Sequence, residues 1–195
     1  MLDNKYENLI KVEITKEKLF SKSFNQIIEE FDKKLDEINF LHKAVKIEEY
    51  FGDNIGEKTA REKLIKNNII KEDWINIANG DFKGLYIFIH DNKPIYFGIS
   101  RCVIRRVIQH IKGKTHFQAT LAYNIGLIYY KIINGIEYSG KRDDFDFEKY
   151  VEPIKIFLLK QNIAFLNIED DDELYLFEIY CSIKYKTILN KFETH

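Results

Sequence analysis

The sequence has few cysteines, few prolines and no long apolar segment. Its 195 residues include two Cys, two Pro and nine Gly. Cys102 and Cys181 are too few for a disulfide framework or a four-cysteine zinc site, and they predict reduced thiols in a cytoplasmic protein. No apolar run approaches the roughly 18 residues that a membrane span needs, and the charged first residues lack the apolar segment of a secretory signal. We therefore expect no membrane partner.

The chain also lacks a net charge of either sign, because 30 Lys and Arg stand against 31 Asp and Glu. Any affinity for nucleic acid therefore has to come from a local patch. Residues 83–116 hold seven basic residues and one acidic residue, whereas residues 141–173 hold five basic and ten acidic residues. The basic stretch suits a polyanion such as nucleic acid, although a solvated basic surface without a partner has the same composition.

Residues 1–80 are predicted to form a mainly helical N-terminal extension of unassigned role. Apolar residues at steps of three and four over residues 24–41 predict a helix, which either Ser21 or Ser23 caps. Before this helix, the loose alternation over residues 9–14 favours a short strand.

Residues 81–195 change in character and are predicted to form a second domain. Gly84–Ile89 and Ile95–Ile99 are rich in β-branched and aromatic residues, which predicts the two strands of a β-hairpin. Ser100 then stands at the expected N-cap of a basic helix that ends at Gly113.

The rest of this part is predicted to contain two helices and a strand. One helix is expected from Ala119 onward, and the aromatic and β-branched run from Leu127 to Ile133 favours a strand. A last helix is expected over residues 173–188.

Five residues of this part form a candidate phosphodiester site. Tyr86 and Tyr96 lie on the two hairpin strands, and Arg106 and His110 are four residues apart on one face of the basic helix. An Arg binds a phosphate through two hydrogen bonds, and Glu178 offers the oxygen that a divalent metal prefers. Each residue alone is more commonly a packing, ion-pairing or solvated residue. Their joint spacing is what favours a site.

In this spacing the sequence resembles the GIY-YIG nuclease superfamily. The family's two tripeptide motifs appear as Gly84-Leu85-Tyr86 and Tyr96-Phe97-Gly98, and its Arg, His, Glu and Asn as Arg106, His110, Glu178 and Asn190. The resemblance covers residues 84–195. Leu85 and Phe97 replace other apolar residues of the motifs, and an acidic segment near residues 143–148 is an expected insertion.

The resemblance implies an α+β fold, with a small three-stranded antiparallel sheet flanked by helices. It also implies hydrolysis of DNA with one Mg²⁺ or Mn²⁺, which Glu178 would hold. Tyr86 would orient or deprotonate the attacking water, and His110 would take the proton of the tyrosine; whether Tyr86 or Tyr96 is the base is left open.

The remaining residues have expected roles in binding. By the same resemblance, Arg106 would hold the scissile phosphate, Tyr96 would line the site, and Asn190 would fix the local architecture through side-chain hydrogen bonds. The basic stretch supplies the expected nucleic-acid contacts, which are Lys93, Arg101, Arg105, Lys112, Lys114 and His116.

Several alternatives stay open on the sequence. The domain is either an active endonuclease or a catalytically idle nucleic-acid-binding module of the same fold. A third reading is an RNA-binding or partner-binding protein that acts through residues 1–80. DNA against RNA, the specificity of the site, a role in restriction, mobility or repair, and the oligomeric state are not determined by the sequence.

Overall fold

The computed structural model describes residues 22–190 and Phe192. Its centre is a four-stranded, fully antiparallel sheet in the order β1-β4-β2-β3. The strands are Val45–Lys46 (β1), Gly84–His90 (β2), Lys93–Ser100 (β3) and Asn162–Asn167 (β4). The fold is therefore α+β, as expected from the sequence. The expected three strands are corrected to four, because the two residues of β1 add an edge to β4.

Nine α-helices surround the sheet in the described residues. They are Phe24–Ile38 (α1), Phe40–Lys43 (α2), Ile47–Phe51 (α3), Glu57–Lys66 (α4), Val103–Lys112 (α5), Thr120–Asn134 (α6), Phe147–Tyr150 (α7), Glu152–Leu159 (α8) and Asp171–Tyr185 (α9). Short 3₁₀ turns lie at Glu72–Trp74 and Arg142–Asp144. In the part of the chain that the structure describes, no helix combines the length and apolar content needed to cross a membrane.

The predicted hairpin is confirmed, with a tighter turn than expected. Strand pairing continues to His90 and Lys93, so only Asp91 and Asn92 form the turn. Both have positive φ, at 47° and 59°. Asp and Asn tolerate this left-handed conformation better than other side chains, and two-residue turns of this kind match the twist of a hairpin.

The sheet separates two apolar cores, because successive side chains of a strand point to opposite faces. Tyr86 and Phe88 of β2 belong to the core that α5 and α6 cover. Leu85 and Ile87 belong to the other core, which α1 and α9 cover. The candidate site residues of the hairpin therefore lie on the α5 face of the sheet.

Residues 22–80 contribute to both cores. α1 begins with a capping box at Ser23, which confirms one of the two predicted caps. Its Phe31 packs against Phe177 of α9 with ring centroids 4.4 Å apart. On the other face, Phe51 and Leu64 lie in the same core as Tyr86. The described part of the predicted extension thus packs directly on the elements that carry the candidate site.

Three local predictions need correction. The strand predicted at Leu127–Ile133 is instead part of the helix α6. Tyr130 packs there against Phe145 and Tyr150. This packing outweighs the few tenths of a kcal/mol by which β-branched residues destabilise a helix. Ser100 is the last residue of β3, and α5 begins only after Cys102.

The third correction is β4, a strand that the sequence analysis missed. The strand predicted at residues 9–14 lies outside the described residues.

Candidate active site

Tyr86 and Gly98 face each other across the hairpin. They are paired in the strand register, and the ring of Tyr86 lies over the glycine. A Cβ atom at Gly98 would stand 2.4 Å from Cζ and 2.5 Å from Oη of Tyr86, far inside van der Waals contact. The second tripeptide therefore needs a glycine for a packing reason. Because Gly98 has no side chain, the space beside it is open, and the Tyr86 hydroxyl reaches α5 through it.

The Tyr86 hydroxyl is hydrogen-bonded to a histidine of α5. Its Oη lies 2.8 Å from Nε2 of His110. Tyr86 is 1% exposed and His110 is fully buried, so the bond lies in a low-dielectric setting that strengthens it. The spacing on the helix and the strand thus brings together two of the predicted site residues.

The backbone fixes which nitrogen of His110 carries the proton. The N–H of Leu121, at the start of α6, donates to His110 Nδ1 at 3.3 Å. A backbone N–H only donates, so Nδ1 offers its lone pair and the proton of the neutral ring is on Nε2. Burial and then the charge of Arg106 lower the pKa of His110 well below its usual value, which keeps the ring neutral.

This tautomer corrects one expectation of the sequence analysis. The Nε2–H group of His110 donates to Tyr86 Oη, so it is not placed to take the proton of that hydroxyl. In this tautomer the Nε2–H group of His110 favours negative charge on the Tyr86 oxygen over the neutral hydroxyl. The hydrogen of the Tyr86 hydroxyl is left to point away from the imidazole.

Arg106 supplies the positive charge of the site. Its Nη1 donates to Gln109 Oε1 at 3.1 Å and to the carbonyl of Gln118 at 3.4 Å. Burial raises the pKa of Tyr86 well above its usual range, and burial raises the pKa of Tyr96 to about 12; Arg106 opposes both shifts. The guanidinium is therefore close enough to stabilise charge on either tyrosine oxygen.

Glu178 approaches the same place from the other side of the sheet. It lies on α9, which packs along the edge strand β3. Burial raises the pKa of its carboxyl group to about 7, and its charge contributes to the raised pKa of Tyr96. Among the described residues, the Glu178 carboxylate has neither a hydrogen-bond donor nor an ion-pair partner.

A carboxylate in this condition fits a divalent cation. It is partly shielded from water, it has no protein partner in the described region, and it lies near Tyr96. Within residues 22–190 and Phe192, no group of three or more His, Cys, Asp or Glu residues gathers as a metal site. Glu178 would thus be a single protein ligand, which suits Mg²⁺ because that ion usually keeps several waters and binds through one or two carboxylates.

Asn190 fastens the C-terminal segment to the free edge of β3. Its Oδ1 accepts the N–H of Phe97 at 3.0 Å and the hydroxyl of Thr187 at 2.9 Å, and its Nδ2 donates to the carbonyl of Phe97 at 2.6 Å. A side-chain amide here satisfies both backbone groups of an edge-strand residue. Asn190 therefore holds the strand between the two site residues Tyr96 and Gly98.

Three of the predicted nucleic-acid contacts are exposed. Lys93 lies beside the hairpin turn, and Lys114 follows α5. The Arg101 side chain is 78% exposed, and it forms an ion pair with Asp171 at 2.9 Å. An exposed pair of this kind is weak and screened by salt, so Arg101 remains accessible to a polyanion.

The other three predicted contacts are engaged within the protein. Arg105 is also exposed, but three hydrogen bonds of 3.1 to 3.2 Å hold its guanidinium against Glu57 of α4. Lys112 donates to the carbonyls of Gly52 and Ile55, at 2.6 and 2.9 Å. His116 is buried, and its Nε2 lies 2.7 Å from the carbonyl of Phe145. These side chains fasten α5 and its following loop to neighbouring segments.

One residue that supports the site was missed in the sequence analysis. Asp81 precedes β2 and caps α5 across the hairpin, with both carboxylate oxygens accepting backbone N–H groups of the helix. A cap from a residue distant in sequence leaves no local pattern. Ser100, which the sequence predicts as the N-cap, is the last residue of β3 instead.

Comparisons with protein-family models, with curated proteins and with solved structures give no match to this chain.

Proposed function

We propose that this protein is a metal-dependent endonuclease of the GIY-YIG kind that hydrolyses phosphodiester bonds in DNA. The observation that carries the proposal is the buried hydrogen bond between Tyr86 and His110, with Arg106 beside it. The Glu178 carboxylate, which has no partner within residues 22–190, lies nearby. Four residues from three separate elements thus provide an oxygen nucleophile or base, a cation for phosphate and a metal ligand in one place.

Arg106 is the phosphate-binding residue in this proposal. A guanidinium binds two phosphate oxygens at once and stabilises the charge that develops on them during displacement. Its two present acceptors are neutral oxygens, of the Gln109 side chain and the Gln118 backbone. A dianionic transition state would compete well with neutral acceptors, because hydrogen bonds between charged groups are roughly twice as strong.

Tyr86 orients or deprotonates the attacking water. Burial raises its pKa, so the free protein holds the neutral phenol at physiological pH. The Nε2–H of His110 and the charge of Arg106 both favour the phenolate, and a bound cation would add to them. His110 acts here as a hydrogen-bond donor to the tyrosine oxygen. Tyr96 lies beside Tyr86, with ring centroids 6.2 Å apart, and burial raises its pKa to about 12. Because burial raises the pKa of both tyrosines, the one that acts on the water is the one whose hydroxyl the cation reaches.

Glu178 would hold Mg²⁺ or Mn²⁺. When bound, such an ion polarises phosphate oxygen and lowers the pKa of water. The carboxyl has to be ionised to bind it, and the pKa of about 7 means that a large fraction is protonated below neutral pH. Cation binding to the protein is therefore expected to strengthen as the pH rises through about 7.

Two further parts of the proposal concern setting and substrate. The described Cys102 and Cys181 are free thiols, which supports a reducing compartment such as the cytoplasm. Lys93, Lys114 and Arg101 supply exposed positive charge for a nucleic-acid backbone, and we take DNA as the substrate.

Cleavage of supercoiled plasmid tests the function. Purified protein is incubated with and without about 5 mM Mg²⁺ or Mn²⁺, an amount suited to an oxygen-ligand site. We expect metal-dependent nicked or linear products that are lost in Glu178→Ala and in Arg106→Ala. A matched control is Glu62→Ala, which removes an exposed carboxylate from α4.

Two outcomes would overturn the proposal. Equal cleavage by all variants would identify the activity as a contaminant. Intact DNA binding by the wild type, without cleavage under any metal, would favour the catalytically idle module.

A further inference from the structure

The N-terminus of α5 is held by a residue that lies outside the hairpin and the helix. α5 begins at Val103, and its N-cap residue Cys102 makes no side-chain hydrogen bond to the helix. Asp81, in the loop before β2, takes that place. Its Oδ1 accepts the N–H of Ile104 and its Oδ2 accepts the N–H of Arg105, both at 2.9 Å. One carboxylate thus satisfies two of the N–H groups that a helix start leaves without a partner.

The neighbouring Phe82 completes the cap. Its carbonyl accepts the N–H of Val103 at 3.0 Å, and its own N–H donates to Asp81 Oδ1 at 2.7 Å. The next N–H of the helix, that of Arg106, already bonds to the carbonyl of Cys102 at 3.0 Å. Every backbone N–H in the first turn of α5 therefore has an acceptor, and residues 81 and 82 supply three of them.

The capping loop is itself fixed. Asp81 is 1% exposed, its N–H donates to Asn79 Oδ1 at 3.0 Å, and its carbonyl accepts the N–H of Asn76 at 2.8 Å. Arg61 of α4 donates to the carbonyl of Gly80 at 2.6 Å. Burial raises the pKa of the Asp81 carboxyl, and its three backbone N–H donors oppose that rise. The cap is a buried, rigid anchor tied to the N-terminal half of the chain.

We propose that Asp81 is a positioning residue of the active site, which fixes the first turn of α5 so that Arg106 faces the two tyrosines. The proposal rests on the proposed nuclease function, because Arg106 is the phosphate-binding group there. Arg106 directly follows the two capped residues, whereas His110 lies a full turn further along the helix. Loss of the cap is therefore expected to displace Arg106 more than His110.

The geometry requires a carboxylate at position 81. Both oxygens accept an N–H from the helix, and negative charge at a helix N-terminus is favourable. Asparagine has the same shape but one acceptor oxygen, so its NH₂ group would face the N–H of Arg105. Asp81→Asn thus removes part of the cap with little change in volume, and Asp81→Ala removes all of it.

The test compares the two Asp81 variants with a matched control. Asp146→Asn makes the same substitution at the cap of α7, where Asp146 accepts the N–H of Lys149. Each variant is assayed at a temperature where its near-ultraviolet circular dichroism shows the folded state. Three quantities are measured: the single-turnover rate of plasmid nicking, the affinity for plasmid DNA, and the hydrogen exchange of the α5 amides.

We expect Asp81→Asn to lower the nicking rate about tenfold at unchanged DNA affinity, which corresponds to a loss of about 1.4 kcal/mol of transition-state stabilisation. Asp81→Ala should lower it further, and Asp146→Asn should leave it within about twofold. The amide of Arg105 should exchange at least about tenfold faster in Asp81→Asn, and the amides of both Ile104 and Arg105 should do so in Asp81→Ala, with the last turn of α5 unchanged.

Other results would overturn the proposal. Unchanged amide exchange at Ile104 and Arg105 would show that Asp81 does not hold the helix. Faster exchange with an unchanged nicking rate would show that the cap does not position Arg106. If the wild type cuts no DNA, the proposed function fails. Faster amide exchange in the Asp81 variants would then show that Asp81 caps α5, and the positioning role would be refuted.

Discussion

The carboxylate of Glu178, which has no partner among the described residues, leads to a prediction about stability that does not depend on any substrate. Burial raises its pKa from the usual 4.5 to about 7. The folded protein therefore binds this proton more tightly than the unfolded chain does. The stabilising effect is fully present below pH 4.5, and it is lost as the pH rises through about 7. Above that pH the folded state holds an ionised, poorly solvated group.

The magnitude of this pH-dependent stabilisation follows from the size of the pKa shift of Glu178. Each pKa unit corresponds to about 1.36 kcal/mol, so the shift corresponds to roughly 3 kcal/mol as an upper bound. Glu178 is partly exposed, and solvent screening reduces the figure to about 1–2 kcal/mol. Replacing it by glutamine removes the charge and keeps the shape. We expect Glu178→Gln to stabilise the metal-free protein at pH 8 by about 1–2 kcal/mol and to have little effect at pH 4.5.

Urea unfolding at the two pH values, in the presence of a chelator, measures this difference. Glu62→Gln on α4 is the control, since Glu62 is exposed and its substitution should change little at either pH. Adding Mg²⁺ at pH 8 should stabilise the wild type and not Glu178→Gln. If Glu178→Gln is no more stable than the wild type at pH 8, the carboxylate has a partner and the reasoning is refuted.

Two further predictions concern the hairpin. Gly98→Ala places a methyl group against the Tyr86 ring, so we expect destabilisation by about 1–3 kcal/mol in urea unfolding. Gly56→Ala, with nothing near its Cβ, should cost less than about 1 kcal/mol, which is the preference of the α4 N-cap for glycine over alanine. Equal effects would contradict the close packing. Asn190→Ala removes both hydrogen bonds to Phe97, and we expect a loss of about 1–2 kcal/mol together with faster amide exchange at Phe97; unchanged exchange would show that Asn190 does not hold the edge strand.

The sequence predicts the hairpin and most of the first helix, because their signals are local; the helix expected over residues 24–41 is interrupted at Asn39, whose φ is 41°. The β-branched and aromatic residues of the strands, the turn at Asp91 and Asn92 and the capping Ser23 each act within a few residues. Strand and helix periodicity also predicts that the hairpin tyrosines lie near Arg106 and His110. In the structure Tyr86 and His110 are in contact. The catalytic roles of these residues stay predictions.

The parts that the sequence did not predict depend on contacts between distant segments. Ile163–Leu166 is a short apolar run that fits a strand or a helix equally, and its pairing with β2 decides for β4. Leu127–Ile133 contains strand-forming residue types, but its packing against α7 makes it helical. The cap by Asp81 and the tautomer of His110 both depend on backbone groups far away in the chain. No local pattern encodes such contacts.

The most direct test of the central claim is the removal of one oxygen atom. Tyr86→Phe deletes the hydroxyl that bonds to His110, and Tyr129→Phe deletes an exposed hydroxyl on α6 as the control. The single-turnover rate of Mg²⁺-dependent plasmid nicking is measured for both variants after each is shown to be folded. We predict that nicking is lost in Tyr86→Phe and unchanged in Tyr129→Phe. Nicking by Tyr86→Phe at the wild-type rate would contradict the assignment of this hydroxyl to the chemistry.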